Sequence, residues 1–279
     1  MSRWSGHQQA MLREMGLRLW LPPEAHPAAG APPDIATMAA PVAAMVAAPA
    51  AAPVAAAPAP ARPSAAAPAL AQAPPPPEAP LPVAGPVARL DWPALRSAVA
   101  ACTACSLCES RQQTVFGSGH LRAHCMIVGD APDEQEDAQG EPFVGEPGQL
   151  LDRMLAALGL SRQPGEPARQ VFITNILKCR PPRKRNPSPE ELAQCRPFLQ
   201  RQVALVQPRV ILAMGRFAVQ SLLGSDAPLG QLRGQVHDWH GVPLVVTYHP
   251  AYLLRQPQAK ADAWDDLCRA AQWLDAAPG

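Results

Sequence analysis

Apolar positions along this chain follow two rhythms, and the rhythms divide it. Residues 125–128, 171–174, 209–214 and 244–247 are short apolar runs rich in β-branched side chains, which predicts four buried strands. Between them the apolar residues recur at helical spacing, predicting helices over 92–101, 149–158, 189–206, 216–223 and 261–274. Gly159 supplies a C-terminal cap for the second helix, and Ser188 an N-cap for the third, with Glu190 and Glu191 in its first turn. Strands alternating with helices predict an α/β three-layer sandwich around a central, mostly parallel four-stranded sheet. Ligands bind such sheets beyond the carboxyl ends of the strands.

The rhythm stops between residues 21 and 88. This stretch is almost entirely Ala, Pro and Val, with only Glu24, Asp34, Arg62 and Glu78 charged. Proline lacks an amide donor and nothing here is large enough to bury, so a disordered, semi-extended linker is expected. Ahead of it, Met11, Met15 and Leu19 fall at helical spacing within residues 8–20, a short amphipathic helix suited to a protein partner or simply a frayed tail. The expected domains are thus a helical motif (1–20), a linker (21–88) and one compact unit (89–279), expected to act as a monomer.

A formal net charge of +1 excludes wholesale electrostatic coating of nucleic acid. It leaves room for a local basic patch at Lys178, Arg180, Arg183, Lys184 and Arg185, or for a solvated loop. No proline-free run of 18 apolar residues occurs, and Arg13, Glu14 and Arg18 interrupt any export signal, so a bacterial cytoplasmic location without membrane contact is expected.

Seven cysteines in such a compartment raise metal binding, catalysis and plain burial rather than disulfides. Cys102 and Cys105 form a C-x-x-C pair, and two more ligands could come from Cys179, after the second strand, and Cys195, in the following helix. Spacing alone does not separate zinc from iron–sulfur, nor either from two small buried residues. Cys108 is a spare candidate; Cys125 and Cys268 suit burial. After the first strand, Asp130, Asp133, Glu134, Glu136 and Asp137 fall within eight positions, a loop fit for a divalent metal, a general base or mere solvation. Phe143 suits either a stacking platform or the core. Asn175 and His249 each follow a strand, which brings an amide, an imidazole and carboxylates to one sheet edge.

In this order the motifs resemble the family 4, iron–sulfur uracil-DNA glycosylases. The resemblance rests on Cys102, Cys105, Leu107 and Arg111; on Gly129 to Asp137; on Pro142 to Gly145; on Thr174 to Pro182; on Cys195; and on Thr247 to Arg255. It implies a [4Fe–4S] cluster on Cys102, Cys105, Cys179 and Cys195, with Cys108 a spectator. It also implies excision of uracil flipped out of DNA. Asn175, Phe143 and Ala131 would hold the base, and His249 would stabilise the departing uracil anion. Glu136 or Asp130 would act on water or the cationic sugar. Arg255, Lys178, Arg180, Arg183 and Arg185 would meet phosphate, and Leu253 or Leu254 would wedge into the stack.

The chain departs from the family pattern at three places. Asp130 replaces Glu, Asp133 replaces Gly, and Pro147 replaces a small residue. Glycine at such a place commonly serves a positive φ or a close backbone approach. A second reading follows: a domain of the same fold that binds DNA but excises uracil weakly or not at all. A zinc-dependent nucleic-acid protein is a third.

Overall fold

The computed structural model describes residues 85–275. The helix expected at 8–20 and nearly all of the Ala/Pro-rich linker lie outside the described residues. The linker's last residues enter a 3-10 turn, Pro86–Arg89.

Six strands form one sheet: β1 (Ser118–Gly119), β2 (Cys125–Gly129), β3 (Val171–Asn175), β4 (Val210–Met214), β5 (Val236–Trp239) and β6 (Val242–Thr247). Their order is β1-β3-β2-β4-β6-β5. The inner four run parallel, while β1 and β5 pair antiparallel with β3 and β6. The four-stranded, mostly parallel sheet expected from the sequence is therefore corrected to a six-stranded mixed sheet. Its two edge strands escape a hydrophobic-run search for physical reasons. β1 has only two residues, neither apolar, and Gly119 lies so near the Val171 carbonyl that a Cβ would fall 2.0 Å from its oxygen. β5 carries His237 and Asp238, and it turns into β6 through His240 and Gly241, both at positive φ (52° and 83°). That two-residue turn is the usual hairpin connection, but without the Asn-Gly signature that would announce it.

Helices α1 (Trp92–Ala100), α2 (Leu107–Ser110), α3 (Glu134–Gln139), α4 (Gly145–Ala157), α5 (Pro189–Val206), α6 (Arg216–Leu223), α7 (Leu229–Leu232), α8 (Pro250–Arg255) and α9 (Lys260–Asp275) surround the sheet. Side chains alternate across each inner strand. Met126, Val128, Phe172, Ile211, Ala213, Leu244 and Val246 pack with α1, α5 and α6. Cys125, Ile127, Val171, Ile173, Val210, Leu212 and Val245 pack with α4 and α9. Two faces so covered let strands be apolar throughout, which is why the inner four read so plainly.

Two helices begin with reciprocal caps. Ser188 and Glu191 form a capping box on α5. Asp133 and Glu136 form another on α3, a helix within what reads as an acidic loop. Pro147 sits in the first turn of α4, where its missing amide proton costs nothing, and that helix starts four residues earlier than its apolar pattern indicates.

Candidate functional site

The carboxyl ends of β2, β3 and β6 deliver Gly129, Asn175 and, two residues beyond Thr247, His249 to one edge of the sheet. Between β2 and α4 the chain inserts Phe143, whose backbone is held at φ 52°. A non-glycine residue in that region stores strain, and here specific bonds hold it. Glu136 accepts from the Phe143 amide at 2.5 Å and from the Asp133 amide at 2.6 Å. The Phe143 carbonyl needs Gly148 opposite, since a Cβ there would come within 1.8 Å of its oxygen.

Asn175 is 2 % exposed. Its Nδ2 faces Glu136 Oε1 at 3.4 Å, which fixes the amide's orientation, and its Oδ1 is buried with no hydrogen-bond partner. Most buried polar atoms are satisfied, and this acceptor is among the few here that are not, in company with Gln170 Oε1, Thr247 Oγ1, Trp264 Nε1 and Arg162 Nη2. Gly129 leaves room beside Asn175: a Cβ would stand 2.8 Å from Asn175 Oδ1 and 2.6 Å from the Phe143 ring.

His249 caps α8 by accepting the Ala251 amide proton on Nδ1 at 3.2 Å. An accepting Nδ1 leaves the proton on Nε2 and makes that nitrogen a donor. Burial pushes the imidazole pKa down to about 4, against a smaller upward pull from the Asp133 carboxylate and with a further downward push from Arg255, so the ring is neutral at pH 7. It stacks on Phe143 with centroids 4.9 Å apart and planes at 21°. That separation is too small for a third ring between them.

The five acidic residues do not converge. Asp130 accepts from the Ala218 amide at 2.7 Å in the first turn of α6, and burial raises its pKa to about 6 against that bond. Asp133 caps α3 at 2.8 and 2.9 Å. Its φ is −89°, so the left-handed geometry a glycine would serve is not required there. Burial raises the Glu136 pKa in spite of its three donors. Asp137, fully buried, accepts from the Gln112 amide and ties α3 to the cysteine-bearing turn. Among the described residues no group of three His, Cys, Asp or Glu is placed to hold a single metal ion.

A second centre lies just past β3. Cys102, Cys105, Cys179 and Cys195 line one pocket, with Cys108, Arg111, Leu177, Lys178 and Phe198 among its other walls. Arg111 Nη1 lies 3.1 Å from Cys179 Sγ and 2.9 Å from the Cys102 carbonyl. The Lys178 amide donates to Cys195 Sγ at 3.3 Å. Burial holds the Cys195 thiol up at about 12 and raises Cys179 as well, so keeping both as thiolates takes a positive charge in the pocket. Four cysteines lining one pocket supply the thiolate set that an iron–sulfur cluster takes.

A family model described as the uracil DNA glycosylase superfamily matches residues 116–268. A type-4 uracil-DNA glycosylase of Archaeoglobus fulgidus is 38 % identical over 177 residues, spanning 61 % of this chain and 86 % of the relative. One from Pyrobaculum aerophilum is 39 % identical over 186 residues, 64 % of this chain and 92 % of the relative. One from Thermotoga maritima is 42 % identical over 156 residues, 55 % of this chain and 78 % of the relative. The chain belongs to the uracil-DNA glycosylase superfamily. Its branch is type 4, and membership in that branch brings a [4Fe–4S] cluster. The four-thiol pocket, with its N–H donors aimed at sulfur, fits that group.

Several residues of this glycosylase sit otherwise than their motifs imply. Lys178 is 2 % exposed, and its ammonium donates to Thr174 Oγ1, the Asn175 carbonyl and Gln202 Oε1 at 2.5, 2.8 and 2.8 Å. It is therefore removed from the phosphate-facing set, and burial lowers its pKa to about 8. Leu253 is fully buried and cannot wedge into DNA, whereas Leu254 is 39 % exposed. Phe143 is 2 % exposed and already stacked, so it is not an open platform. Arg180 faces Glu134 and Asp137 at 3.7 and 3.9 Å, and Arg185 pairs with Glu191. Arg183 and Arg255 are exposed, and Ala131 lies half-buried on the turn after β2. Sequence reasoning gave no role to Gly129, whose missing side chain leaves room beside Phe143 and Asn175, nor to Arg111, which reaches a cysteine sulfur. The G-D-A-P turn directly after a strand was the available signal for Gly129.

Proposed function

We propose that this glycosylase hydrolyses the bond between uracil and deoxyribose using Asn175, His249 and Glu136 as its working groups. The observation that carries the reading is the free, buried Asn175 Oδ1 beside the side-chain-free face of Gly129. A uracil entering there offers its N3–H to Oδ1, an acceptor that is already desolvated and unpartnered. Cytosine lacks that proton and leaves the oxygen unpaired, which favours uracil. Admission of the base requires Phe143 and His249 to part from their 4.9 Å stack. His249 is the partner free to move, standing at the head of a six-residue helix, while Glu136 grips the backbone of Phe143.

As the glycosidic bond breaks, negative charge grows on the uracil oxygens and positive charge on the sugar. His249 Nε2–H donates to the anion without needing protonation. Glu136 fixes Phe143 and Asn175, and it is the carboxylate nearest the base site. Asp130, committed to the head of α6, keeps that helix in register with β2 instead of touching substrate. Arg183 and Arg255 meet phosphate, and Leu254 fills the stack left by the flipped base. The cluster, when bound on Cys102, Cys105, Cys179 and Cys195, supplies a rigid anchor for the loops beside the DNA.

The reading extends to the rest of the chain. Residues 21–88 act as a tether, residues 8–20 dock a protein partner, and the enzyme works as a monomer in a bacterial cytoplasm. Among the described residues no helix is long and apolar enough to cross a membrane.

The test is cleavage of a uracil-containing oligonucleotide by anaerobically purified enzyme. His249→Ala should lower kcat by roughly 10²–10³-fold, the usual loss for one anion-stabilising donor. Asn175→Ala should lower kcat/KM for uracil with affinity for abasic DNA retained. A brown, folded wild type that leaves uracil in place would favour the binding-module reading instead.

A further inference from the structure

The uracil-reading residue and the cysteine pocket meet in a single residue. Lys178 donates its backbone amide to Cys195 Sγ at 3.3 Å, and its ammonium to the Asn175 carbonyl at 2.8 Å. The same ammonium also reaches Thr174 Oγ1 on β3 and Gln202 Oε1 on α5. Thr174 and Gln202 are themselves anchored, since both donate to the Phe116 carbonyl, at 3.0 and 2.8 Å. All three side chains are buried, and the network spends every proton of the ammonium.

We propose that Lys178 is a positioning residue that couples the cysteine pocket to the base-reading amide of Asn175. This rests on the uracil-reading role proposed for Asn175. Beyond β3 the chain leaves the sheet, and residues 175–179 carry both Asn175 and the cysteine Cys179 in one five-residue segment. The ladder with β2 holds the amide side of the peptide that follows Asn175, through the Ile176 N–H on the Gly129 carbonyl at 3.0 Å, and leaves the carbonyl side of that peptide to other partners. The ammonium fixes it from the other side by holding its carbonyl. A cluster that immobilises Cys195 and Cys179 therefore immobilises the backbone on which Asn175 Oδ1 is aimed. An anchored peptide keeps the amide at hydrogen-bonding distance from uracil, where a displacement of 1 Å is costly.

The geometry separates the two arms cleanly. Lys178→Met removes the ammonium and leaves the backbone N–H on Cys195 untouched. The expected protein keeps its visible iron–sulfur absorbance and its affinity for abasic-site DNA. Its inhibition constant for free uracil rises about tenfold, and kcat falls by a similar factor, the loss of a fixed hydrogen bond at the reading residue. Free uracil probes the base site without DNA, and abasic DNA probes the phosphate contacts without the base. An effect confined to the first is what coupling predicts and general loosening does not.

Lys178→Met with its cluster intact and an unchanged inhibition constant for uracil would overturn the coupling. Should that variant lose its absorbance on purification, Thr174→Val decides. It is isosteric, lies on β3 and removes one acceptor of the ammonium. Weakened uracil inhibition in a brown protein supports the proposal, and wild-type inhibition overturns it. Wild-type enzyme that neither excises uracil nor is inhibited by it strikes the base-reading role itself, an outcome distinct from either variant behaving like wild type.

Discussion

The cysteine pocket and the proposed base site around Asn175 lie within one chain segment of each other, and they are finished in opposite ways. Around the cysteines the donors turn inward: Arg111 and the Lys178 amide aim at sulfur, and Arg111 also holds the carbonyls of Ala100 and Cys102. Around Asn175 an acceptor is left over, a glycine withholds its side chain and a non-glycine backbone is strained at φ 52°. The first arrangement is a scaffold that is complete once its own group is in place. The second keeps an unsatisfied buried acceptor at a cost of about 1–3 kcal/mol, which a substrate donor would repay under the function proposed for Asn175.

The contrast breaks most severely at the scaffold. Cys195→Ala should bleach the visible absorbance and remove several kcal/mol of stability, as loss of a structural metal group does. That corresponds to a Tm lower by roughly 10 °C or more for a domain of this size. Cys108→Ala, in the same pocket wall, should change neither. Absorbance spectra and thermal melts of the two variants settle the ligand set, and a bleached Cys108→Ala would mean that the four ligands are misassigned.

Gly129→Ala attacks the other centre. Its methyl group would meet the Phe143 ring at 2.6 Å and Asn175 Oδ1 at 2.8 Å, and the strained Phe143 backbone has little freedom to yield. Overpacking of this kind costs about 1–3 kcal/mol. It also fills the space a base must occupy, so kcat/KM should fall by more than tenfold with the cluster absorbance unchanged. Activity equal to wild type would show that the base enters elsewhere.

How much of this was legible beforehand follows from what each element depends on. The inner strands and α5 announce themselves, because burial on two faces and a Ser-x-x-Glu cap are local in sequence. The edge strands do not: β1 exists only because β3 is beside it, and β5 because His240 and Gly241 turn it onto β6. At the site, residue types and order pointed to Asn175, His249 and the four cysteines, which the fold brings to two neighbouring places. Exposure was not legible. Lys178 and Arg183 look alike in a basic run, yet Lys178 is buried and Arg183 exposed. Leu253 and Leu254 likewise differ only in which face of α8 they occupy. Nor could the acidic run be resolved into separate tasks, since Asp130, Asp133, Glu136 and Asp137 each serve a different backbone amide.

Titration sharpens the comparison further. The His249 pKa is lowered to about 4 by burial, so its ring resonances should titrate well below the ordinary histidine value of 6.5. Between those values the unfolded chain binds a proton that the folded chain refuses. Stability from this group is therefore full above pH 6.5 and is lost as pH falls toward 4. Asp130 acts in the opposite sense, because burial raises its pKa to about 6. The folded state binds its proton more readily than the unfolded state does, so this group favours folding at low pH and loses that advantage as pH rises from 3.8 to about 6. Histidine NMR against pH measures the first, and an Asp130→Asn variant should flatten the second limb of a stability profile. A His249 titration near 6.5 would mean an open, hydrated ring, contrary to a dry base site.

The smallest expected effect answers the departure at Asp133. If a glycine were needed there for backbone freedom or close approach, Asp133→Gly should restore lost activity. The φ of −89° is open to any residue, and the carboxylate caps α3 through the amides of Gln135 and Glu136. Glycine at an N-cap costs only a few tenths of a kcal/mol relative to aspartate. The capping box also carries Glu136, which in turn grips Phe143, so slackening the cap loosens the base site slightly. The remaining influence is the carboxylate's upward pull on the His249 pKa, minor beside the burial that pushes it down. Excision by Asp133→Gly should therefore stay within about threefold of wild type, with stability lowered by a few tenths of a kcal/mol. A gain of tenfold or more would place the cost of the aspartate in the DNA complex, where its negative charge meets phosphate, and would revive the weak-excision reading of the chain.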